Sequence, residues 1–597
     1  MAQKLNKKQG NDQIIADFFK KSIWFVLIIT MIIIAIVYFY QSRENTLEIV
    51  EKEYQPPEKL KIEISPPEIL FSEETEKRGI NFSQQNGATG ERLLPETMGS
   101  GVAFIDFDND NDEDLIFVNS TSWVWDSPQS TSTQEVYEND GSGNFKNVTI
   151  EKGLDDVFYG TGIAVGDVNN DGYDDLVITA VGENRLYINN AGNNFTRDKT
   201  VLDCTADAWS TSAGFFDYDN DGDLDLMILN YVQWSKELDL AADYRIDGIG
   251  RAYGPPANFP GTHSCLFENV DGQLVDVTEK SGIIVRNPAM NSLEGKSLAL
   301  TFTDINSDGF EDVIVANDTT RNFVFVNQGN KTFKEQGVEF GLAYDAGGKA
   351  TGAMGLDVAN YKNDADVAVA VGNFANEMTS FYVNRASLGF FTDESVITGV
   401  GPQSRLALTF GLFFFDYDLD GRQDFFQTNG HVENEINKVQ SAQHYAQKSQ
   451  LFWNCGDDCE RTYIAVENAG DLNSLDLVGR AAAYGDVDND GDLDIVITQV
   501  ADSAKLFINQ SEKRNWIGIK LSSQTQSPIG ATIEVHASSN IQKFKYSQTK
   551  SYLSQTQKGI IAGLGDDKLE KIVISYRDGV KSITDFKINN WNLISLE

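Results

Sequence analysis

The strongest constraint on this chain is an internal repeat, because the same three-part unit occurs seven times. Each unit has an aspartate-rich loop, a short β-rich run and a four-residue tag that ends in Asn, such as LYIN at 186. Six loops are intact, and the copy around Asn360 (ANYKNDADV) has decayed. The intact loops are DFDNDNDED from Asp106, DVNNDGYDD from Asp167, DYDNDGDLD from Asp217, DINSDGFED from Asp304, DYDLDGRQD from Asp416 and DVDNDGDLD from Asp486.

The apolar stretches within each unit are short and are separated by Gly, Asn and Asp, which predicts four antiparallel strands joined by tight turns. One such sheet cannot cover its own faces, whereas seven arranged radially can, so the sequence predicts an all-β fold with a seven-bladed β-propeller. Most units end with an aromatic residue or Leu, then Thr or Ser, then Gly at four-residue spacing. This pattern also occurs at Phe71, Thr75 and Gly79, before the first loop, and is missing after the last one. We therefore expect the segment around Phe71 to be the outer strand of the last blade, which would close the ring and remove its open edge.

The aspartate loops carry oxygen ligands at positions 1, 3, 5 and 9 on one side of a tight turn, and Gly or Asn at position 6 turns the carbonyl of position 7 inward. Hard, charged oxygen ligands in a flexible turn suit Ca²⁺ better than Mg²⁺. We predict about six structural Ca²⁺ ions, since such cages leave no evident open position for a substrate. The predicted ligands are Asp106, Asp108, Asp110, Asp112, Asp114, Asp167, Asn169, Asp171, Tyr173, Asp175, Asp217, Asp219, Asp221, Asp223, Asp225, Asp304, Asn306, Asp308, Phe310, Asp312, Asp416, Asp418, Asp420, Arg422, Asp424, Asp486, Asp488, Asp490, Asp492 and Asp494.

The alternative interpretation of each loop is a metal-free Asp-Gly hairpin turn. It is disfavoured because several acidic groups within a few ångströms repel one another unless a cation lies among them. In the decayed copy, Lys362 stands at position 3 and Ala365 at position 6. We expect no metal there, and the ammonium group of Lys362 could take the place of the ion.

The formal net charge of −41 at pH 7 argues against nucleic acid as a partner, since binding to phosphates needs a basic patch. Residues 23–40 are uncharged, apolar and about long enough to cross a bilayer. Lysines precede this stretch and glutamates follow it, which predicts a cytoplasmic tail (1–22), a transmembrane signal anchor (23–40), a linker (41–67) and a periplasmic or extracellular remainder. A cleaved signal peptide is the alternative, although no small-x-small cleavage site follows the stretch.

The chain has four cysteines, and an exported domain would meet an oxidising environment. Cys455 and Cys459 are expected to close a small loop. A bond between Cys204 and Cys265 is possible, but the spacing does not support it. A zinc site is disfavoured because no CxxC pair or histidine cluster accompanies the cysteines.

Residues 514–597 break from the repeat and contain alternating strand-like runs with Gly turns. They predict a small, separate β-sandwich-like or barrel-like domain at the end of a propeller that covers residues 68–513.

The loops with their tags resemble the FG-GAP/VCBS repeats of integrin-α-type propellers. NWIGIKL, PIGATIEV, SYLSQ, GLG and DGV resemble the ASPIC/UnbV domain, and the combination is similar to the cartilage acidic protein family. The resemblance implies a seven-bladed, calcium-binding propeller on the cell surface or in the periplasm, with ligands at the loop positions named above. The chain departs from the family at Tyr576 and Arg577, where Trp-Pro is usual, and at Ala252, where a Cys often precedes Tyr-Gly-Pro.

Three other features are candidates for function. His431 in TNGHV could be catalytic, but a buried structural histidine is favoured because His263, His444 and His536 are scattered along the chain. Trp123 and Trp125 could stack on sugars, anchor a protein or cap the blade. The aromatic insertion at 231–261 is the best candidate for contact with a partner, because long loops are often functional.

We predict a membrane-anchored, exported, calcium-binding propeller that is an interaction or adhesion module for a protein or glycan, and not an enzyme. One alternative is an exported enzyme or enzyme subunit that acts on polysaccharide, with a site in the propeller channel or the insertion loop. Another is a structural component of the envelope. No acid pair, nucleophile motif or redox-cofactor motif stands apart from the aspartate loops, which disfavours the enzyme.

Overall fold

The computed structural model describes residues 5–44, 64–126, 132–205, 209–385, 389–523, 526–577 and 579–596. The chain divides into two compact units, Met1–Ile64 and Ser65–Glu597. The first unit contains one helix, Leu5–Glu44, whose segment Ala16–Tyr40 is long and apolar enough to cross a membrane. This segment includes the predicted span at 23–40. Most of the predicted linker, at 45–63, and the first four residues of the predicted tail lie outside the described residues.

The second unit is dominated by seven four-stranded antiparallel sheets, and each sheet corresponds to one sequence repeat. We number these sheets in chain order. Sheet 1 consists of Val102–Ile105, Asp114–Phe117, Glu135–Asn139 and Phe145–Asn147, and sheet 2 of Gly160–Gly166, Asp175–Ala180, Arg185–Asn189 and Phe195–Arg197. Sheet 3 consists of Ser210–Phe216, Asp225–Asn230, Cys265–Val270 and Gln273–Asp276. Sheet 4 consists of Ser297–Thr303, Asp312–Asn317, Phe323–Asn327 and Phe333–Glu335. Sheet 5 consists of Leu356–Ala359, Val367–Val371, Ser380–Asn384 and Phe391–Asp393. Sheet 6 consists of Thr409–Phe415, Asp424–Asn429, Gln450–Asn454 and Tyr463–Ala465. Sheet 7 consists of Gly479–Gly485, Asp494–Gln499, Lys505–Asn509 and Phe71–Glu73.

The first strands of successive sheets contact one another, and Gly479–Gly485 of sheet 7 contacts Val102–Ile105 of sheet 1. The sheets therefore follow one another around a ring, as in a β-propeller. The predicted number of seven blades stays a prediction. The predicted closing strand is confirmed, because Phe71–Glu73 pairs antiparallel with Lys505–Asn509. This pairing covers the edge of sheet 7 that would otherwise be open.

The core of the ring lies between neighbouring sheets. Ile116 of sheet 1 and Ile178 of sheet 2 belong to one buried cluster, and Phe216 of sheet 3 stacks on Phe302 of sheet 4 with 4.3 Å between ring centroids. Strands covered on both faces need apolar residues at successive positions, which explains runs such as LVIT and FFFD in the sequence.

The connections contain short helices and two small ribbons. The helices are Leu94–Thr97, Thr149–Lys152, Lys236–Ala242, Pro256–Asn258, Thr278–Ser281, Ser395–Thr398, Val400–Ser404, Ile436–Lys438 and Asp471–Ser474. The ribbons pair Arg245–Ile246 with Gly250–Arg251, and Gln447–Lys448 with Asp476–Leu477.

Two disulfides are present. Cys455–Cys459 closes the small loop that the sequence predicts. Cys204–Cys265 ties the connection before sheet 3 to the third strand of that sheet, a pairing that the spacing alone did not support.

The C-terminal module, residues 514–597, forms two further sheets. In the three-stranded sheet, Asn515–Ser522 lies antiparallel to Ile560–Gly565 and parallel to Trp591–Ser595. The four-stranded sheet has the order Ile541–Lys545, Thr532–Ala537, Leu569–Tyr576 and Gly579–Ile583. Ile519, Ile533 and Ile572 lie in their shared core. The exact domain boundaries stay predictions.

Candidate metal centres

Each aspartate loop is a hairpin tip between the first and second strands of its sheet, and its first aspartate organises the turn. In the loop from Asp106, Oδ1 accepts the N–H of Asp110 and Oδ2 accepts the N–H of Asn111, both at 3.0 Å. The same two bonds recur in the other five loops. Asn111 has φ +78°, and the glycines at position 6 of the other loops are also at positive φ. The predicted need for Gly or Asn at this position is therefore confirmed.

The aspartate at position 9 holds the base of each loop. Asp175 accepts the N–H of Asn189 on Oδ1 at 2.8 Å and the N–H of Val168 on Oδ2 at 3.0 Å. Equivalent pairs of bonds occur in all six loops. The aspartate at position 9 therefore links its loop to the third strand of the same sheet.

Carboxylates converge in four of the six loops, where one oxygen from each of three residues lies within 4.8 Å of the others. The four groups are Asp106, Asp108 and Asp110; Asp217, Asp219 and Asp225; Asp416, Asp418 and Asp424; and Asp486, Asp488 and Asp494. The loops from Asp167 and Asp304 have Asn at position 3 and form no such group among the described residues. Their ligands, and the carbonyl ligands at position 7 in every loop, stay predictions.

Burial makes these carboxylates costly to ionise without a cation. Removal from water, reinforced by neighbouring carboxylates, raises the pKa of Asp486 to about 8 and that of Asp225 to about 9, although backbone hydrogen bonds to Asp225 oppose the rise. The pKa values of Asp416 and Asp424 also lie well above the ordinary range, for the same reasons. A divalent cation would hold such groups in the charged form at neutral pH.

The donor set fits a hard divalent cation. Asp108 Oδ1 and Asp418 Oδ1 are buried oxygens at position 3 of their loops, and neither has a hydrogen-bond partner, although the other oxygen of Asp418 contacts Arg514 Nη1 at 3.1 Å. Buried oxygens without partners are rare in proteins, and charged ones strongly favour a nearby cation. Carboxylate oxygens in a compact loop are the ligands that Ca²⁺ prefers.

The decayed copy differs from the prediction in one respect. Lys362 Nζ lies 2.7 Å from Asp457 Oδ1, in the disulfide-closed hairpin of sheet 6. Among the described residues, the salt bridge of Lys362 is therefore to a neighbouring hairpin and not to a carboxylate of its own loop, and the absence of metal from this loop stays a prediction.

The Asn that ends each tag has a role that the sequence reasoning missed. Asn189 Nδ2 donates to the carbonyl of Phe107, in the loop of the preceding repeat, at 2.8 Å, and its Oδ1 accepts the N–H of Gly192 at 2.9 Å. The same bridge between repeats recurs at five other tags, those of Asn139, Asn269, Asn327, Asn454 and Asn509. In the decayed repeat, Asn384 Oδ1 is buried without a partner. The constant Asn in an otherwise variable tag was the available signal.

The C-terminal module lies against the aspartate loops and brings cations to them. Lys520 Nζ lies 3.2 Å from Glu113 Oε1, and Lys558 Nζ lies 2.7 Å from Asp174 Oδ1. Lys545 pairs in the same way with Glu311. All three acids occupy position 8 of their loops, a position for which the sequence analysis assigned no ligand.

Part of the C-terminal module reaches the centre of the ring. Between two of its strands, the segment 548–557 is buried throughout apart from Lys550, which is partly buried. The N–H of Leu553 donates to Ser212 Oγ at 3.0 Å, and Gln555 Nε2 donates to the carbonyls of Ile163 and Ala213. Both acceptor carbonyls belong to innermost strands, so this segment fills the place where a channel site would lie.

Comparison with known proteins agrees with this arrangement. A family model described as an FG-GAP-like repeat matches residues 106–178, 167–228 and 304–371, and one described as ASPIC and UnbV matches residues 521–595. The chain contains FG-GAP-like repeats and an ASPIC/UnbV domain. No curated protein sequence shows a significant match.

The solved structures that match the chain have low sequence identity to it and low TM-scores. A lectin of Agrocybe aegerita that recognises non-reducing terminal N-acetylglucosamine is 14% identical, covers 78% of this chain and 100% of its own, and has a TM-score of 0.37. BBS1N in complex with ARL6DN is 9% identical, with coverage of 69% and 92% and a TM-score of 0.34. The rhamnogalacturonan lyase YesW is 11% identical, with coverage of 69% and 71% and a TM-score of 0.35.

The face of the FG-GAP-like repeats opposite the aspartate loops carries the aromatic candidates. Antiparallel strands place the connections between second and third strands at the end away from the loops. Trp123 is buried there and stacks on Tyr159 at 4.1 Å, on Trp125 at 5.1 Å and on Trp234 of the 231–261 insertion at 5.3 Å. Trp123 therefore caps its blade, whereas Trp125 is 42% exposed and remains available at the surface.

His431 is buried, as the sequence analysis favoured. It is 4% exposed, and its Nδ1 accepts the N–H of Glu433 at 3.0 Å. Burial, together with the nearby Arg480 guanidinium, lowers the pKa of His431 to about 4. A neutral, buried imidazole of this kind orders the connection that carries it.

Proposed function

We propose that this protein is a membrane-anchored, exported interaction module in which calcium-stabilised FG-GAP-like repeats present a surface to a protein or glycan partner. The observation that carries the proposal is the position of the C-terminal module. It covers aspartate loops and fills the ring centre, which leaves the opposite face as the accessible recognition surface. Long connections on a rigid scaffold are a common place for recognition.

The 231–261 insertion on that face is held in a fixed shape. Asp239 is buried, and its Oδ2 accepts the N–H of Leu94 at 2.8 Å and the indole N–H of Trp234 at 2.9 Å. Ser235 caps the helix Lys236–Ala242 by accepting the N–H of Leu238. A loop ordered before binding loses less entropy on binding, which favours recognition.

The surface of this insertion is partly apolar. Leu238 is 46% exposed, and Lys236 Nζ lies 4.8 Å from the ring centroid of the partly exposed Trp125. An aromatic ring with a neighbouring cation suits a sugar face or a mixed protein surface.

Export is supported by the apolar helix near the N-terminus and by the two disulfides. We propose that the helix anchors the protein with its N-terminus in the cytoplasm and the repeats outside. Calcium is plentiful outside cells, so loops of modest affinity would be filled there.

An exported enzyme that acts on polysaccharide is the second candidate, and a structural envelope component is the third. The filled ring centre counts against a catalytic site in the channel. No specific observation favours the structural component.

The test is a glycan and protein array probed with the full chain in detergent and calcium, followed by product analysis on every hit. We expect saturable binding without turnover, and Trp125→Ala should weaken it. Val580→Ala is the control, since Val580 is 73% exposed on the C-terminal module. Release of shortened glycans would support the enzyme, and no binding on any array would contradict the interaction module.

A further inference from the structure

Arg577 of the C-terminal module reaches into the metal loop that begins at Asp217. Its Nη2 contacts Asp217 Oδ2, and its Nη1 contacts Gln526 Oε1. The approach is close, because a Cβ built on Gly222 of this loop would lie 2.7 Å from Arg577 Nη1. The side chain of Arg577 is only 18% exposed, so its charge lies largely within the interface.

The loop that Arg577 enters belongs to a group of converging carboxylates. Asp217 lies with Asp219 and Asp225, and one oxygen of each is within 4.8 Å of the others. A second cation is also present, since Lys331 Nζ lies 2.6 Å from Asp219 Oδ2. Two of the three carboxylates therefore already contact a positively charged side chain.

The position-8 contacts of the C-terminal module are of a different kind. Lys545 pairs with Glu311, and Lys558 pairs with Asp174, at loop positions that are not predicted to bind the ion. These lysines can stay in place when an ion binds to the loop. Arg577 cannot do so in the same way, because it contacts a predicted ligand directly. Arg514, at the start of the same module, makes a comparable contact with Asp418 Oδ2 at 3.1 Å.

We propose that Arg577 is a built-in competitor for the divalent ion at the Asp217 loop, so that ion binding at this loop and docking of the C-terminal module oppose each other. An ion that takes Asp217 Oδ2 as a ligand must displace the guanidinium of Arg577. Otherwise the ion and the guanidinium would both contact the same carboxylate oxygen, and their positive charges would repel each other. Thermodynamic linkage then requires that each weakens the other by the same factor. This inference rests on the proposed calcium binding. It also gives a role to a residue at which the chain departs from the family pattern.

The test compares calcium binding to the full chain in detergent, by calorimetry and by native mass spectrometry, for wild type, Arg577→Gln and Lys545→Gln. We expect Arg577→Gln to bind one further ion or to tighten one class of sites by about tenfold or more. Lys545→Gln, which removes a cation of the same module from position 8, should keep the wild-type ion number. Gln526→Ala releases the anchor of the arginine without altering the loop, and a smaller tightening in the same direction is expected.

Hydrogen exchange gives an independent measurement of docking. Saturating calcium should increase exchange in Leu569–Tyr576 of the wild type, and Arg577→Gln should lose this response. Equal ion number and equal affinity in wild type and Arg577→Gln would overturn the inference while leaving calcium binding intact. Absence of ion binding in both proteins would overturn the calcium proposal and this inference with it.

Discussion

The Asn that ends six of the seven tags stabilises the contact between successive repeats. Its Nδ2 satisfies a carbonyl in the preceding loop, and its Oδ1 satisfies an N–H in its own hairpin, as at Asn189. Buried backbone groups need such partners, since leaving one unpaired costs about 1–3 kcal/mol. One side chain therefore helps to order two neighbouring repeats.

Replacing this amide should destabilise the ring. Asn189→Ala leaves the buried carbonyl of Phe107 without its donor, and we expect a loss of about 2 kcal/mol in the free energy of unfolding. Asn384→Ala is the matched control, because the buried Oδ1 of Asn384 has no partner. Denaturant unfolding in the presence of calcium measures both variants, and an equal loss in the two would contradict the assigned role.

The tag was visible in the sequence, but its partner was not. The amide of Asn189 meets a carbonyl 82 residues earlier, and that of Asn139 meets the carbonyl of Val487, 348 residues later in the chain. A repeat pattern shows that a position is equivalent in each unit, but it does not show which neighbouring unit the side chain contacts. That contact follows only from the order of the sheets around the ring.

The charge of each aspartate loop depends on whether a cation is bound, because the bound cation favours the ionised form of the carboxyl groups. In the absence of metal, burial raises the pKa of Asp106 to about 6 and that of Asp225 to about 9, above the ordinary value of 3.8. The ion-free folded state therefore holds more protons than the unfolded state. The resulting stability is fully present below about pH 4 and is lost as the pH rises through these folded values.

Calcium should consequently stabilise the protein more at pH 8 than at pH 5. In excess chelator we expect the melting temperature to fall between these pH values, because the loop carboxyls lose protons and repel one another. Added calcium should restore it at pH 8 by mass action. Scanning calorimetry with and without calcium at both pH values measures the effect, and an equal calcium shift at the two pH values would contradict it.

The loop geometry could be predicted from spacing because its ligands lie within nine consecutive residues. The bonds of Asp106 to positions 5 and 6 and the positive φ of Asn111 agree with that prediction. The cations that neutralise the loops could not be predicted, because Lys520 and Arg577 come from a module that does not share the period of the repeats. Only the docked arrangement shows which basic residue meets which loop.

For the molecule as a whole, ring closure depends on a strand from the beginning of the second unit. Phe71 pairs with Asn509 and is 1% exposed, whereas the adjacent Leu70 is 48% exposed. The sequence predicted this closure because the pattern that ends most units was present before the first loop and absent after the last.

Removing the side chain of Phe71 should weaken the pairing of the closing strand with Lys505–Asn509 of sheet 7. We expect Phe71→Ala to lower the free energy of unfolding by about 3–5 kcal/mol, the usual cost for a buried phenylalanine, and Leu70→Ala to change it by less than about 1 kcal/mol. Hydrogen exchange in Lys505–Asn509 should rise only in Phe71→Ala. Unchanged protection of that strand in Phe71→Ala would contradict closure by this segment.

The central claim is that divalent cations hold the buried carboxylates at the tips of the ring. Its most direct test is the metal content of the full chain, purified in detergent without chelator and measured by elemental analysis. The account predicts several calcium ions per chain, removed by chelator together with a marked fall in melting temperature. A chain with no bound calcium and an unchanged melting temperature in chelator would contradict it.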